Sequence, residues 1–402
     1  MLAVGAPWLA TSIATGHYVP PAHPVHHRMT PCLACADDDD DDDDDYFDES
    51  ALRFQMFSQR IRWAPPSKDG SRWDQRDSQA SIRVQELLAT EAIITLAGCE
   101  ALPSVVIKDR LGEGRFGDVL LGEAEDDSSK RVAIKMALRP TSELEHEQKI
   151  LEAMQGVDGF PQSIHHQRAT ATLPEMLVME MLGPSLQRVW ETSTRSSHLS
   201  ADTVLRLGGQ ILRTLQSLHD AGFVHNDLKP ANILLGQEGT AKEESVHLVD
   251  FGLTTSRLQK SSQSRESDEE NAEEGRGGVG RVGSHLYASI AAHEGRATVA
   301  ADDLESLTYL LAFLATGRLP WRGERYSSIA PMKRRMVRDG CRDLLFAGTC
   351  CAEGAASSNV ATALEAVWAQ VVECHQTGNE VDYDACLALL GASSSNSARS
   401  SV

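Results

Sequence analysis

The sequence predicts an α+β protein with two unequal lobes, a small β-rich one followed by a larger helical one. Three observations carry that expectation. Short β-type apolar runs (Val105-Val106-Ile107, Val119-Leu120-Leu121 and Val132-Ala133-Ile134) crowd around a glycine turn. Beyond Leu182 the apolar residues change to helical spacing. Two polar motifs, His225-Asn226-Asp227-Leu228-Lys229-Pro230-Ala231-Asn232 and Asp250-Phe251-Gly252, then follow in order.

Bulk properties narrow the classes. With 402 residues, 41% of them hydrophobic, the chain can bury a sizeable core. A formal charge of −20 works against non-specific nucleic-acid binding, because phosphate backbones attract Lys and Arg. Nearly half of that charge is the aspartate run Asp37 to Asp45, which reads as a solvated tail. The eight cysteines are too sparse for a disulfide scaffold, so reduced thiols are expected, with Cys32 and Cys35 incidental. No stretch is apolar for long enough to span a bilayer. The expectation is a monomer without membrane or nucleic-acid partners, cytoplasmic and/or nuclear. Residues 1–36, free of Asp and Glu, leave an organelle address as a minor alternative.

Along the chain, residues 1–100 read as a mostly disordered acidic extension, with one amphipathic helix over residues 81–98. Residues 104–182 form the β-rich lobe and 183–390 the helical lobe. Ser142-Glu143-Leu144-Glu145 is a capping box that opens a helix, and Gly156 is placed to close it. Ser200 caps a helix carrying Val204, Leu207, Ile211, Leu215 and Leu218, and Leu304 to Leu314 is apolar all round, as a central buried helix would be. An acidic, Ser-rich insertion at about 257–282 and a Ser-rich tail at 391–402 read as flexible. Lys333-Arg334-Arg335 reads as an exposed helix face, with a nuclear address as the alternative.

The chemistry sits in four places. Gly112-Glu113-Gly114-Arg115-Phe116-Gly117-Asp118-Val119 lies between two strand-like runs; its glycines let backbone N–H groups approach phosphates, and continuation as a strand favours a nucleotide lid over a dinucleotide-binding turn. Lys135 closes the next strand. In the helix after it, Leu144, Glu147, Leu151 and Met154 share one face, so Glu147 points inward and needs a cation, for which Lys135 is available. Asp227 is then a candidate base for a hydroxyl proton and Lys229 a neighbour of the transferring phosphate, while Asn232 and Asp250 are oxygen ligands for Mg²⁺. Leu111, Val119, Ala133, Leu234 and Val249 are candidate apolar walls for an adenine, or simply core.

These motifs resemble the protein kinases and, within them, the casein kinase I family. Leu144 to Ile150 with Met154-Gln155-Gly156, and Met179 to Leu186, are similar to its helix C and hinge. Tyr287-Ala288-Ser289-Ile290, Asp302 to Leu307 and Leu319-Pro320-Trp321 are similar to its later blocks. The likeness covers about residues 104–321. It implies a bilobal protein kinase-like fold that uses ATP and Mg²⁺. It also implies transfer to Ser or Thr of protein substrates, near acidic or phosphorylated residues. It makes Met179 the gatekeeper, Glu180 to Leu182 the adenine-binding hinge, and Asp303 the buried anchor of the catalytic loop. The chain departs from the family at Asn226, where Arg is usual, in its acidic insertion, and in a shortened stretch from Trp321 to Leu390. Without a cation at position 226 an activation-loop phosphate has no natural partner, so activity should not depend on one. A catalytically weak kinase-fold scaffold is the rival reading. A small-molecule kinase of similar fold is the third, disfavoured by Asp250-Phe251-Gly252 and Leu319-Pro320-Trp321.

Overall fold

The computed structural model describes residues 84–391 apart from 86, 97, 115–116, 138–141, 171–173, 193–197, 257–284, 342–344 and 346–353. The aspartate run, Cys32 and Cys35, most of the expected N-terminal extension, the acidic insertion and the Ser-rich tail lie outside the described residues.

The first lobe is an antiparallel six-stranded sheet in the order β1-β2-β3-β4-β6-β5. Its strands are β1 (Ile93–Thr95), β2 (Ser104–Gly114), β3 (Gly117–Ala124), β4 (Arg131–Ala137), β5 (Ser163–Gln167) and β6 (Met176–Glu180). The branched and aliphatic runs read from the sequence form β2, β3 and β4, because side chains alternating across a pleated surface can bury one face. Ile107, Leu120 and Ile134 are fully buried on that face, against Val84.

One expectation fails here. Residues 84–89 are helical where described, but the helix does not continue to residue 98; Ile93 and Ile94 belong to β1, in register with Val106 and Val105. The ordered lobe therefore begins ahead of residue 104.

Helix α1 (Glu143–Ala153) lies against β5 and β6. It begins after Ser142 as the sequence predicts, yet the Ser142 side chain makes no capping hydrogen bond, since ψ 0° is not the extended conformation that aims a hydroxyl at the first amides. Gly156 turns the chain beyond the helix at φ 78°.

The second lobe consists of α2 (Leu186–Thr192), α3 (Ala201–Asp220), α4 (Ile290–His293), α5 (Ala300–Thr316), α6 (Tyr326–Asp339), α7 (Gly354–Thr377) and α8 (Tyr383–Leu389). Ser200 caps α3 by accepting from Thr203 N at 3.3 Å. Helix α5 is buried on all sides, with α3 and α7 packed on it, and Gly317 ends it at φ 70°. Two short antiparallel ribbons carry the polar motifs: β7 (Phe223–Val224) with β10 (Thr255–Ser256), and β8 (Ile233–Leu235) with β9 (Val246–Leu248).

The basic cluster also needs correction. Arg334 and Arg335 are exposed, but Lys333 has no exposed surface; its ammonium lies 4.5 Å from the Tyr309 ring centre and 4.9 Å from that of Trp321. Aromatic faces and backbone carbonyls make this burial tolerable for a cation.

Candidate active site

Strand register gathers the nucleotide-side residues onto one face of the sheet. Gly112 pairs with Val119, Val119 with Lys135, and Ala133 with Met179; Ala133 and Lys135 are two residues apart on β4. With a period of two, all five share a face. Val119 and Ala133 keep partly accessible side chains, and Leu111 is 43% exposed, whereas Leu120 and Ile134 on the opposite face are fully buried. From below come Leu234 and Val249, both half-buried. Ser185 bridges to Leu234, and Gly183 N donates to Leu235 O at 2.9 Å, which brings Met179, Glu180 and Leu182 to the seam between the lobes.

Among the site glycines, Gly117 has a specific steric reason. A Cβ there would lie 2.0 Å from Met136 O, so only glycine lets β3 run this close to β4. A Cβ at Gly112 would meet nothing within 4 Å, so that position faces open space. Gly114 pairs with Gly117 across the turn.

Lys135 joins three elements. Its Nζ donates to Glu147 Oε2 on α1 at 2.6 Å and to Asp250 Oδ1 at 2.8 Å. Glu147 is 2% exposed, on the inward stripe of α1, and its Oε1 also accepts from Phe251 N at 3.4 Å. Burial works against the Lys135 ammonium, but the two carboxylates outweigh it and hold its pKa above the ordinary lysine value. Glu147 is pushed up by burial and by the nearby charge of Asp250 against the pull of Lys135. For Asp250, burial is overcome by Lys135, with Lys229 and His225 adding to it, and its pKa falls below the usual carboxylate range.

The loop from His225 to Asn232 is fixed from beneath. Asp303 in α5, 1% exposed, accepts His225 N at 2.7 Å and Asn226 N at 2.9 Å. His219 Nε2 binds the same carboxylate at 2.8 Å, and its Nδ1 meets the Tyr383 hydroxyl. Burial would raise the Asp303 pKa, but His219 and these amides hold it below the usual carboxylate value, so the anchor stays ionised. His219 and Tyr383 escape the sequence reading. They are 164 residues apart, and only the helical alignment of His219 with Leu215 and Leu218 hints that it points inward.

Above the anchor, Asp227 Oδ2 accepts from Lys229 Nζ at 2.5 Å and from Asn232 Nδ2 at 3.0 Å. Its Oδ1 is buried without a hydrogen-bond partner among the described residues. His225 packs on Phe251, 5.3 Å between ring centres.

Comparison with known proteins agrees with this geometry. Residues 105–346, more than half of the chain, match the family model for the protein kinase domain. The casein kinase 1-like protein HD16 of Oryza sativa subsp. japonica is 36% identical over 232 residues, which cover 55% of this chain and 31% of that protein. The shared part is thus under a third of the relative's length. The chain belongs to the protein kinase family.

Proposed function

We propose that this protein is a serine/threonine kinase of casein kinase I type, which moves the γ-phosphoryl group of Mg-ATP to Ser or Thr hydroxyls of proteins. The observation that carries the reading is the Asp227 carboxylate, gripped on one oxygen by Lys229 and Asn232 and left without a donor on the other. A buried acceptor in that state is costly until a ligand completes it, and a substrate hydroxyl is the donor that phosphoryl transfer brings.

Asp227 Oδ1 accepts the hydrogen bond of the incoming hydroxyl, aims its oxygen at the γ-phosphorus and takes the proton. The new P–O bond forms as the bond to the bridging oxygen of the leaving ADP breaks. Lys229, held 2.5 Å from Asp227, sets a positive charge beside the transferring group. Lys135, fixed by Glu147 and Asp250, presents its ammonium to the α- and β-phosphates. Leu111, Val119, Ala133, Leu234 and Val249 close on the adenine, and backbone groups of Glu180 to Leu182 hydrogen-bond its edge. Asn232 and Asp250 supply the hard oxygen ligands that suit Mg²⁺, whose charge offsets that of the phosphate oxygens when bound. On this reading the acceptor hydroxyls lie near acidic or phosphorylated residues, as the resemblance to the casein kinase I family implies; the rice relative's name says only that it is casein kinase 1-like.

The test is transfer of labelled phosphate from Mg-ATP to dephosphorylated casein by purified protein. Phosphoserine or phosphothreonine should form, and Asp227→Asn should abolish it while leaving nucleotide binding intact. No transfer by the unaltered chain, undiminished transfer by Asp227→Asn, or a metabolite outcompeting the protein substrate overturns the reading.

A further inference from the structure

The residues just after Asp250-Phe251-Gly252 are held from two sides. From the catalytic loop, Asn226 Nδ2 donates to Val224 O at 3.1 Å, to Leu253 O at 3.0 Å and to Thr255 Oγ1 at 3.0 Å. From α1, His146 Nε2 donates to Thr254 O at 2.7 Å. Between these grips, Thr255 pairs with Val224 in the β7–β10 ribbon, and Thr254 Oγ1 donates to His225 O at 3.4 Å.

Each grip is adjacent to a site residue. His146 precedes Glu147, which holds Lys135, and Asn226 precedes Asp227. Asn226 stands at φ 68°, a left-handed conformation that Asn tolerates better than most side chains. It is buried, and its Oδ1 has no partner among the described residues, so its donor end does the holding. An Arg in this place offers a charge that needs an anion, whereas an amide uses carbonyls that are always present.

We propose that Asn226 and His146 are positioning residues. They clasp residues 253–255 between the catalytic loop and α1, so that hydrogen bonds to the backbone and to Thr255 keep Asp227 and Asp250 in register. The inference rests on the kinase reading above and specifies what holds its site together.

The test pairs hydrogen–deuterium exchange over residues 250–256 of the full chain with steady-state kinetics on Mg-ATP and dephosphorylated casein. Asn226→Gly keeps the left-handed backbone and removes the amide. It should speed exchange there and lower kcat about 10-fold or more, while KM for ATP stays within about twofold. His146→Leu should act the same way, and His146→Gln, whose amide still donates, should restore much of the loss. Unchanged exchange in both Asn226→Gly and His146→Leu overturns the clasp, and faster exchange without a fall in kcat overturns its positioning role. If the unaltered chain transfers no phosphate, the kinase reading fails, and the exchange measurement still decides whether the clasp exists.

Discussion

Lys333 donates to Ala288 O at 2.6 Å, and to His285 O at 3.2 Å, from a side chain with no exposed surface. It fastens α6 to the strand of chain that leads into α4, where the sequence reads only a patch of surface charge. Burial pushes its pKa down to about 7, against the pull of the Glu305 carboxylate.

That shift predicts a pH dependence of stability. An unfolded lysine keeps its proton up to about pH 10.4. Between the folded value of about 7 and that limit the unfolded chain binds one more proton than the folded chain, so the cost of burying Lys333 is fully present below about pH 7 and is relieved as pH rises above it. Urea unfolding from pH 6.5 to 9 should show the wild type gaining on Lys333→Met. A constant difference between the two would refute the buried-lysine argument.

Removing Lys135 leaves two carboxylates facing each other across an empty place. Lys135→Met should destabilise the protein by about 3–5 kcal/mol, the cost of breaking a buried ion pair from one side. Calorimetry checks the stability, and labelled-phosphate transfer should fall to background in the same variant. A variant as stable as the parent would mean that Glu147 protonates without cost.

Asp303→Asn keeps the volume but turns one acceptor oxygen into a donor facing backbone N–H groups. Since Asp303 receives two amides and His219, the change should cost about 2–4 kcal/mol. Phosphate transfer should drop with it, while nucleotide affinity, set largely in the other lobe, changes little. Chemical denaturation and a fluorescent nucleotide titration separate the two effects; equal loss in both would contradict the assignment.

Gly117→Ala forces a methyl against Met136 O and should spread β3 from β4. The expected cost is about 1–3 kcal/mol, as for other overpacking changes. Nucleotide affinity should weaken together with stability, because Val119 and Ala133 lie on the same two strands. Gly112→Ala, facing open space, should affect nucleotide binding alone.

Much of this site is legible in the sequence where the signal is local. The step of Leu144, Glu147 and Leu151 marks Glu147 as inward, and the structure gives it Lys135; the all-apolar Leu304 to Leu314 is a buried helix as expected. The errors share another cause. Ile93-Ile94 forms a strand too short to show any periodicity, and its identity depends on pairing with Val105 and Val106. Lys333 looks like a surface charge because nothing nearby in sequence announces Tyr309, Trp321 or the carbonyl of Ala288. Tyr383 meets His219 only after the second lobe has folded around α5. Ser142 fails as a cap through its backbone angle, which composition does not encode.

The added strand β1 bears on how the protein can be cut. A fragment starting at Ser104 would strip β1 from β2 and open the N–H and C=O groups at the Ser104–Val106 end of that strand, which Ile93–Thr95 otherwise pair. Such an edge recruits other chains, so that fragment should self-associate. Any shortening meant to probe the acidic N-terminal part should therefore stop at residue 83, before the helical residues that lead into β1.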